Sequence, residues 1–242
     1  MPFSPKPRMP SSTRPCGLSR SQRIRLGSME FIPDLSGALF APDLRTLLVA
    51  DLHLEKGSSL ARRGVHLPPY DTRQSLLQLG AVMAATGAER LILLGDSFHD
   101  EGARGRIDAA DLALLRSLAA AADTLWIAGN HDPSPPADIG GRVVEEIVLG
   151  GISLRHQPRA LRDGECEIAG HLHPAAAVTA RGLSIRRRCF IADSRRLIMP
   201  AFGSYTGSLS VRSPAFEGLF GDFHVWMIGD AAIHRFPAAR VS

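Results

Sequence analysis

Three short apolar runs, Thr46–Ala50 (TLLVA), Leu91–Leu94 (LILL) and Thr124–Ala128 (TLWIA), each end abruptly in a metal-ligand type of residue. Asp51 follows the first at once, Gly95-Asp96 the second, and Gly129-Asn130-His131 the third. Runs of this length and purity read as strands buried on both faces. Between them lie two amphipathic segments. Asp71 or Thr72 can cap a helix carrying Leu76, Leu77, Leu79, Val82 and Met83, and Asp108 can cap one carrying Leu112, Leu114, Leu115 and Leu118. The order β-α-β-α-β predicts a parallel sheet. In such sheets ligands gather outside the carboxyl ends of the strands. Three motifs far apart in the chain are therefore expected on one edge of one sheet.

After about residue 140 the pattern turns to strands: Val143–Leu149, Ile152–His156, Glu167–Ala169, Phe190–Ala192, Leu197–Met199 and Phe223–Ile228. Two sheets packed face to face with helices outside accommodate this, in a single domain over residues 29–242. Residues 1–28 are rich in Pro, Ser and Arg and contain no acidic residue, so a disordered extension is expected there. An upstream mis-start, with Met29 as the first residue, is the favoured account; an organelle transit peptide and a DNA-binding tail are the others.

The net charge is +4 and the basic residues are nearly all Arg, with only Lys6 and Lys56 as lysines. This allows a polyanionic substrate without requiring one. Cys16, Cys166 and Cys189 are scattered and form no CxxC pair, which argues against a zinc knuckle and fits a reducing cytoplasm. No apolar run approaches the roughly 18–20 residues that span a bilayer.

The ligand-type residues carry the chemistry. Asp51-x-His53 and His171-x-His173 each place two ligating side chains on one side of an extended backbone. Carboxylate oxygen together with imidazole nitrogen suits Mn, Fe or Zn. Asp96 can bridge two ions, Asn130 offers a neutral oxygen, and His156 ends a strand. Asp51, His53, Asp96 and His173 can then serve one ion, and Asp96, Asn130, His156 and His171 a second. Two ions about 3.5–4 Å apart would generate a bridging hydroxide at neutral pH and clamp a phosphoryl oxygen. His131 is not needed as a ligand and can face the substrate as donor or general acid.

These motifs resemble those of the calcineurin-like metallophosphoesterase superfamily. The resemblance implies a four-layer α-β-β-α sandwich of two mixed β-sheets flanked by helices, and hydrolysis of phosphoesters with two divalent ions, often Mn2+. Gly95-Asp96-Ser97-Phe98-His99 is similar to a segment of the nuclease subunit in double-strand-break repair, which implies that His99 orients or assists His131. Longer stretches, among them LLVADLHLEKGSSLARRG, GDSFHD, WIAGNHDP, EIAGHLHP and PAFGSYTG, resemble the bacterial ligase-associated DNA-damage-response endonucleases of the PdeM type. That implies an intracellular enzyme encoded with an ATP-dependent DNA ligase, a helicase and an exonuclease.

For DNA, Arg62 and Arg63, Arg104 and Arg106, and Arg186–Arg188 with Arg187 at its centre can neutralise backbone phosphates, or can form a solvated basic face. Tyr205 can stack on a base or simply pack. The expectation is a dinuclear phosphodiesterase, most specifically a DNA endonuclease. The rivals are a phosphoesterase acting on a small nucleotide or phosphoester, and a non-catalytic scaffold in a repair complex.

Overall fold

A computed structural model describes residues 22–134, 137–180 and 182–242. The first sheet has seven strands in sequence order: β1 (Ile24–Leu26), β2 (Met29–Pro33), β3 (Leu39–Ala41), β4 (Thr46–Val49), β5 (Arg90–Leu94), β6 (Asp123–Ile127) and β7 (Arg142–Val144). β1 to β4 run antiparallel to one another, and β4 to β7 are parallel. α1 (Lys56–Ala61) and α2 (Asp71–Thr86) connect β4 to β5, and α3 (Ala109–Ala120) connects β5 to β6.

The second sheet holds nine strands: β8 (Glu146–Leu149), β9 (Ile152–Arg155), β10 (Cys166–Ala169), β11 (Pro174–Ala180), β12 (Leu183–Ala192), β13 (Arg196–Ile198), β14 (Leu209–Ser210), β15 (His224–Ile228) and β16 (Ile233–Pro237). It too is mixed, with β9, β10 and β13 parallel and the rest of its pairs largely antiparallel.

Alternation along each strand builds the layers. On β4 and the residue after it, Leu48 and Ala50 point between the sheets, where they meet Leu154, Ile168, Phe190 and Met199. Leu47 and Val49 point outward against Leu76, Leu79 and Val82 of α2 and Leu115 of α3. The two-sheet sandwich is as expected. On the outer face of the second sheet, Cys189, Ile191, Val225 and Met227 are covered by Val211, Phe216 and Val241, which come from loops and short 3-10 turns. α2 and α3 pack on the first sheet, and α1 packs against α2.

Four local expectations are corrected. Ile24 and Leu26, inside the expected extension, form β1 and are fully buried in the central core. A chain beginning at Met29 would lack this strand; the rest of the expected extension, residues 1–21, lies outside the described residues. Val143–Leu149 is not one strand, because Glu145 carries the chain from the first sheet to the second. Asp71 is the first residue of α2 and does not cap it, since its carboxylate accepts instead from the Gly57 amide at 2.9 Å; Asp108 does cap α3, accepting from Asp111 N at 2.7 Å. Leu77 faces solvent, at 57% exposure.

Candidate metal centre

The polar residues that end β4, β5, β6, β9 and β10 meet at one end of the sandwich, on the edge predicted from strand order. Asp51 follows β4 by two residues, Asp96 follows β5, and Asn130-His131 follows β6. From the second sheet come His156 directly after β9, and His171 and His173 after β10. Three overlapping groups have ligand atoms within 4.8 Å of one another: Asp51, His53 and His173; His53, Asp96 and His131; Asp96, His156 and His171. Asp96 is common to the last two.

The backbone is not extended here. Asp51, His53, Asp96, His171 and His173 all have left-handed backbones, with φ of 54°, 44°, 47°, 68° and 44°. The expectation that Asp-x-His and His-x-His lie along strand continuations is corrected accordingly. Each segment turns sharply once its strand has ended, and amides in the turns take over ligand alignment. His171 N donates to Asp51 Oδ2 at 3.0 Å, and His131 N to Asp96 Oδ1 at 2.9 Å.

Second hydrogen bonds fix the imidazoles. His156 Nδ1–H donates to the Leu94 carbonyl at 2.9 Å, leaving Nε2 to face Asn130 Oδ1 at 2.8 Å and Asp96 Oδ2 at 3.4 Å. His173 Nδ1–H donates to the Gly207 carbonyl at 3.1 Å, leaving Nε2 3.2 Å from Asp51 Oδ1. An N–H tied to a carbonyl fixes the tautomer and aims the other nitrogen at a metal. Gly95 makes room for this arrangement: a Cβ there would lie 2.5 Å from the His156 ring.

The electrostatics of His53 and Asp96 match. Burial lowers the His53 pKa to about 2, helped by the charge of His173 and opposed by Asp96, so its ring is a neutral donor. Burial works to raise the Asp96 pKa, but the contact with His156 and the hydrogen bond from the His131 amide outweigh it and bring it to about 2. Asp96 is thus an anion.

The donor set fits a pair of divalent ions. Asp51 Oδ1 is buried and has no hydrogen-bond partner, although a buried carboxylate oxygen needs one. His53 Nε2 and His173 Nε2 face each other at 3.4 Å, a contact that a shared cation explains. Mixed oxygen and imidazole ligands are those of divalent transition ions.

His99 sits beside this cluster. Its ring stacks on His131 with centroids 5.3 Å apart, its carbonyl accepts from His131 Nδ1 at 2.9 Å, and its Nδ1 lies 3.4 Å from His53 Nδ1. Burial, with the charges of Lys56 and His131, lowers its pKa to about 4.

The outlying candidates differ. Arg62 and Arg63 are exposed and form no ion pair among the described residues. Arg104 is paired with Asp138, which also binds Arg116, and Arg187 lies 3.7 Å from Asp230. Tyr205 donates its hydroxyl to the Pro68 carbonyl at 2.9 Å, so it ties two loops together.

Several contributors escaped sequence reasoning. Asp132 is the first of them. Its buried carboxylate accepts from the amides of Ser97 and Phe98 at 2.9 and 3.1 Å and so holds the Asp96 loop; burial pushes its pKa up to about 7. Its place directly after Asn130-His131 was the available signal. The carbonyls of Leu94 and Gly207 give no side-chain signal at all. Gly203 lies so close to the Leu52 carbonyl that a Cβ there would collide with it, which seats the 202–207 segment against the Asp51 turn.

The fold and donor set support a metal-dependent phosphoesterase and are consistent with the calcineurin-like metallophosphoesterases. Among solved structures, the chain is similar to a nuclease MPE from Pseudomonas putida, with 29% identity over 88% of this chain and 99% of that one and a TM-score of 0.70. A phosphoesterase from E. coli, YfcE, matches with 15% identity over 79% of this chain and 97% of that one, at a TM-score of 0.43. No protein-family model and no curated protein matches the chain. No helix among the described residues is long and apolar enough to cross a membrane.

Proposed function

We propose that this chain is a dinuclear, Mn2+-using phosphodiesterase that cuts DNA as an endonuclease in the damage response, alongside a DNA ligase and its associated helicase and exonuclease. The observation that carries the reading is Asp96, whose carboxylate is shared by two groups of candidate ligands at the strand ends. The likeness to the Pseudomonas putida nuclease across nearly all of that chain supports the choice of a nucleic-acid substrate.

Asp51, His53, Asp96 and His173 would hold one ion, and Asp96, Asn130, His156 and His171 the other. Bound ions supply a nucleophile at neutral pH and stabilise charge on the phosphoryl oxygens. The chain's residues do the rest. The Leu94 and Gly207 carbonyls keep His156 and His173 in the right tautomer. His131, 43% exposed at the mouth of the site, has its Nδ1–H tied to His99 and so handles a proton at Nε2. There it can bind a phosphate oxygen or protonate the leaving alkoxide.

Nicking of supercoiled plasmid in Mn2+, with Asp96→Ala as control, tests this reading. Nicking by the wild type alone is expected. Hydrolysis of aryl phosphoesters without nicking would overturn the DNA assignment and leave a small-molecule phosphoesterase.

A further inference from the structure

We propose that Lys56, Arg62 and Arg63 form a phosphate-binding subsite beside His99, which takes a phosphate neighbouring the scissile one on a polyanionic strand. This rests on the nuclease reading above and assigns that substrate a second point of attachment.

The cations around the metal centre fall into two groups. Most are satisfied by carboxylates: Arg104 and Arg116 by Asp138, and Arg106 by a two-pronged contact with Asp100 at 2.8 Å for each prong. Lys56, Arg62 and Arg63 form no ion pair with a carboxylate among the described residues. All three lie on α1 and the turn that follows it, directly downstream of the Asp51-x-His53 motif.

Lys56 is the one lysine among the described residues and is half-buried. It opens α1 two residues after Leu54, whose carbonyl accepts from the His99 amide at 3.0 Å, so the start of the helix lies against the His99 segment, and its charge acts on His53 and His99. Arg63 also acts on His99. A cavity of about 430 Å3 beside them is lined by Ser59, Arg62, Arg63, Asp100 and Gly102. Its one acidic wall residue, Asp100, is already neutralised by Arg106.

A half-buried ammonium with no carboxylate at ion-pair distance among the described residues, close to a centre built for further cations, is a costly placement in the free protein. An anion relieves it. The centre itself holds one phosphoryl group, so the anion recognised here is a second phosphate. A phosphomonoester or an aryl diester has none to offer; a nucleic-acid strand does.

The test uses the full chain, the double variant R62Q/R63Q, and the triple variant that adds K56Q. Binding of a fluorescent single-stranded oligothymidylate is followed by anisotropy without metal, across a salt series. Each lost phosphate contact flattens the plot of log affinity against log salt by about 0.7, so the double variant loses about 1.4 and the triple about 2. With Mn2+, the ratio of kcat/KM for the oligonucleotide to that for bis(p-nitrophenyl) phosphate should fall at least about tenfold in the triple variant.

An unchanged salt slope, or equal losses on both substrates, overturns the subsite. A wild type that hydrolyses the aryl diester but neither binds nor cuts the oligonucleotide also overturns it, while sparing the phosphoesterase chemistry. A wild type inactive on both removes the nuclease reading and the subsite with it. Should Lys56→Gln prevent folding, the double variant, altered only at exposed positions, decides by its slope.

Discussion

His131 donates its Nδ1 hydrogen to the carbonyl of His99 at 2.9 Å while the two rings lie nearly parallel, 19° apart. The backbone of one histidine therefore aims the side chain of the other. Replacing His99 by Ala keeps the carbonyl and loses only the ring. His131→Ala should lower kcat by about 10²–10⁴-fold, the usual worth of general acid–base catalysis, and His99→Ala by clearly less. Metal analysis of His131→Ala should show both ions retained. Since His131 Nε2 lies 4.0 Å from Asp96 Oδ2, a loss of metal would make it a ligand instead.

Asp96→Ala removes the one carboxylate that two candidate ligand groups share. Activity should vanish, and metal content should fall at both positions. Two ions still bound per chain, measured by plasma mass spectrometry, would refute a bridging role.

Chelation should do more than stop turnover. Metal relieves the unpartnered Asp51 Oδ1 and the facing nitrogens of His53 and His173. An ion present at about 100 times its dissociation constant adds about 2.7 kcal/mol. At about 2–4 °C per kcal/mol for a chain of this size, Tm should rise by about 5–11 °C between EDTA and Mn2+. An identical melting curve in both would show that no ion binds the folded state.

Glu167 lies fully buried between two buried arginines, with one oxygen on Arg155 and the other on Arg196. Its neighbours on β10 lead straight to His171. Glu167→Gln leaves two guanidinium groups without their shared anion and should cost about 3–5 kcal/mol. Urea unfolding checks this, and a change below about 1 kcal/mol would show that Glu146 and Glu165 suffice to hold Arg155.

The parallel half of the first sheet was legible because buried strands are continuous apolar runs, and the candidate site was legible because each run stops at a residue of ligand type. β1 to β3 were not, since they are short antiparallel pieces and β1 alternates Ile24, Arg25 and Leu26 beside an arginine-rich stretch. The break at Glu145 has no Gly or Pro to mark it; only the parting of β7 and β8 into different sheets reveals it. The arginines were indistinguishable by sequence, because pairing partners such as Asp138 and Asp230 lie far along the chain from Arg104 and Arg187. The tight turns at Asp51 and His171 were hidden for another reason. Asp and His enter the left-handed region more often than most non-glycine residues, yet which of them does so is set by the tertiary amide contacts around it.

Those left-handed turns have a bearing on heat resistance. A non-glycine residue held in this region costs on the order of 1–3 kcal/mol, and five candidate ligands carry the cost together. A glycine at any of them would relax the backbone and delete a ligand in the same stroke. Selection for a hardier metal-free chain would therefore tend to erode the centre first, and a thermostable yet active variant has to find its gains elsewhere in the sandwich.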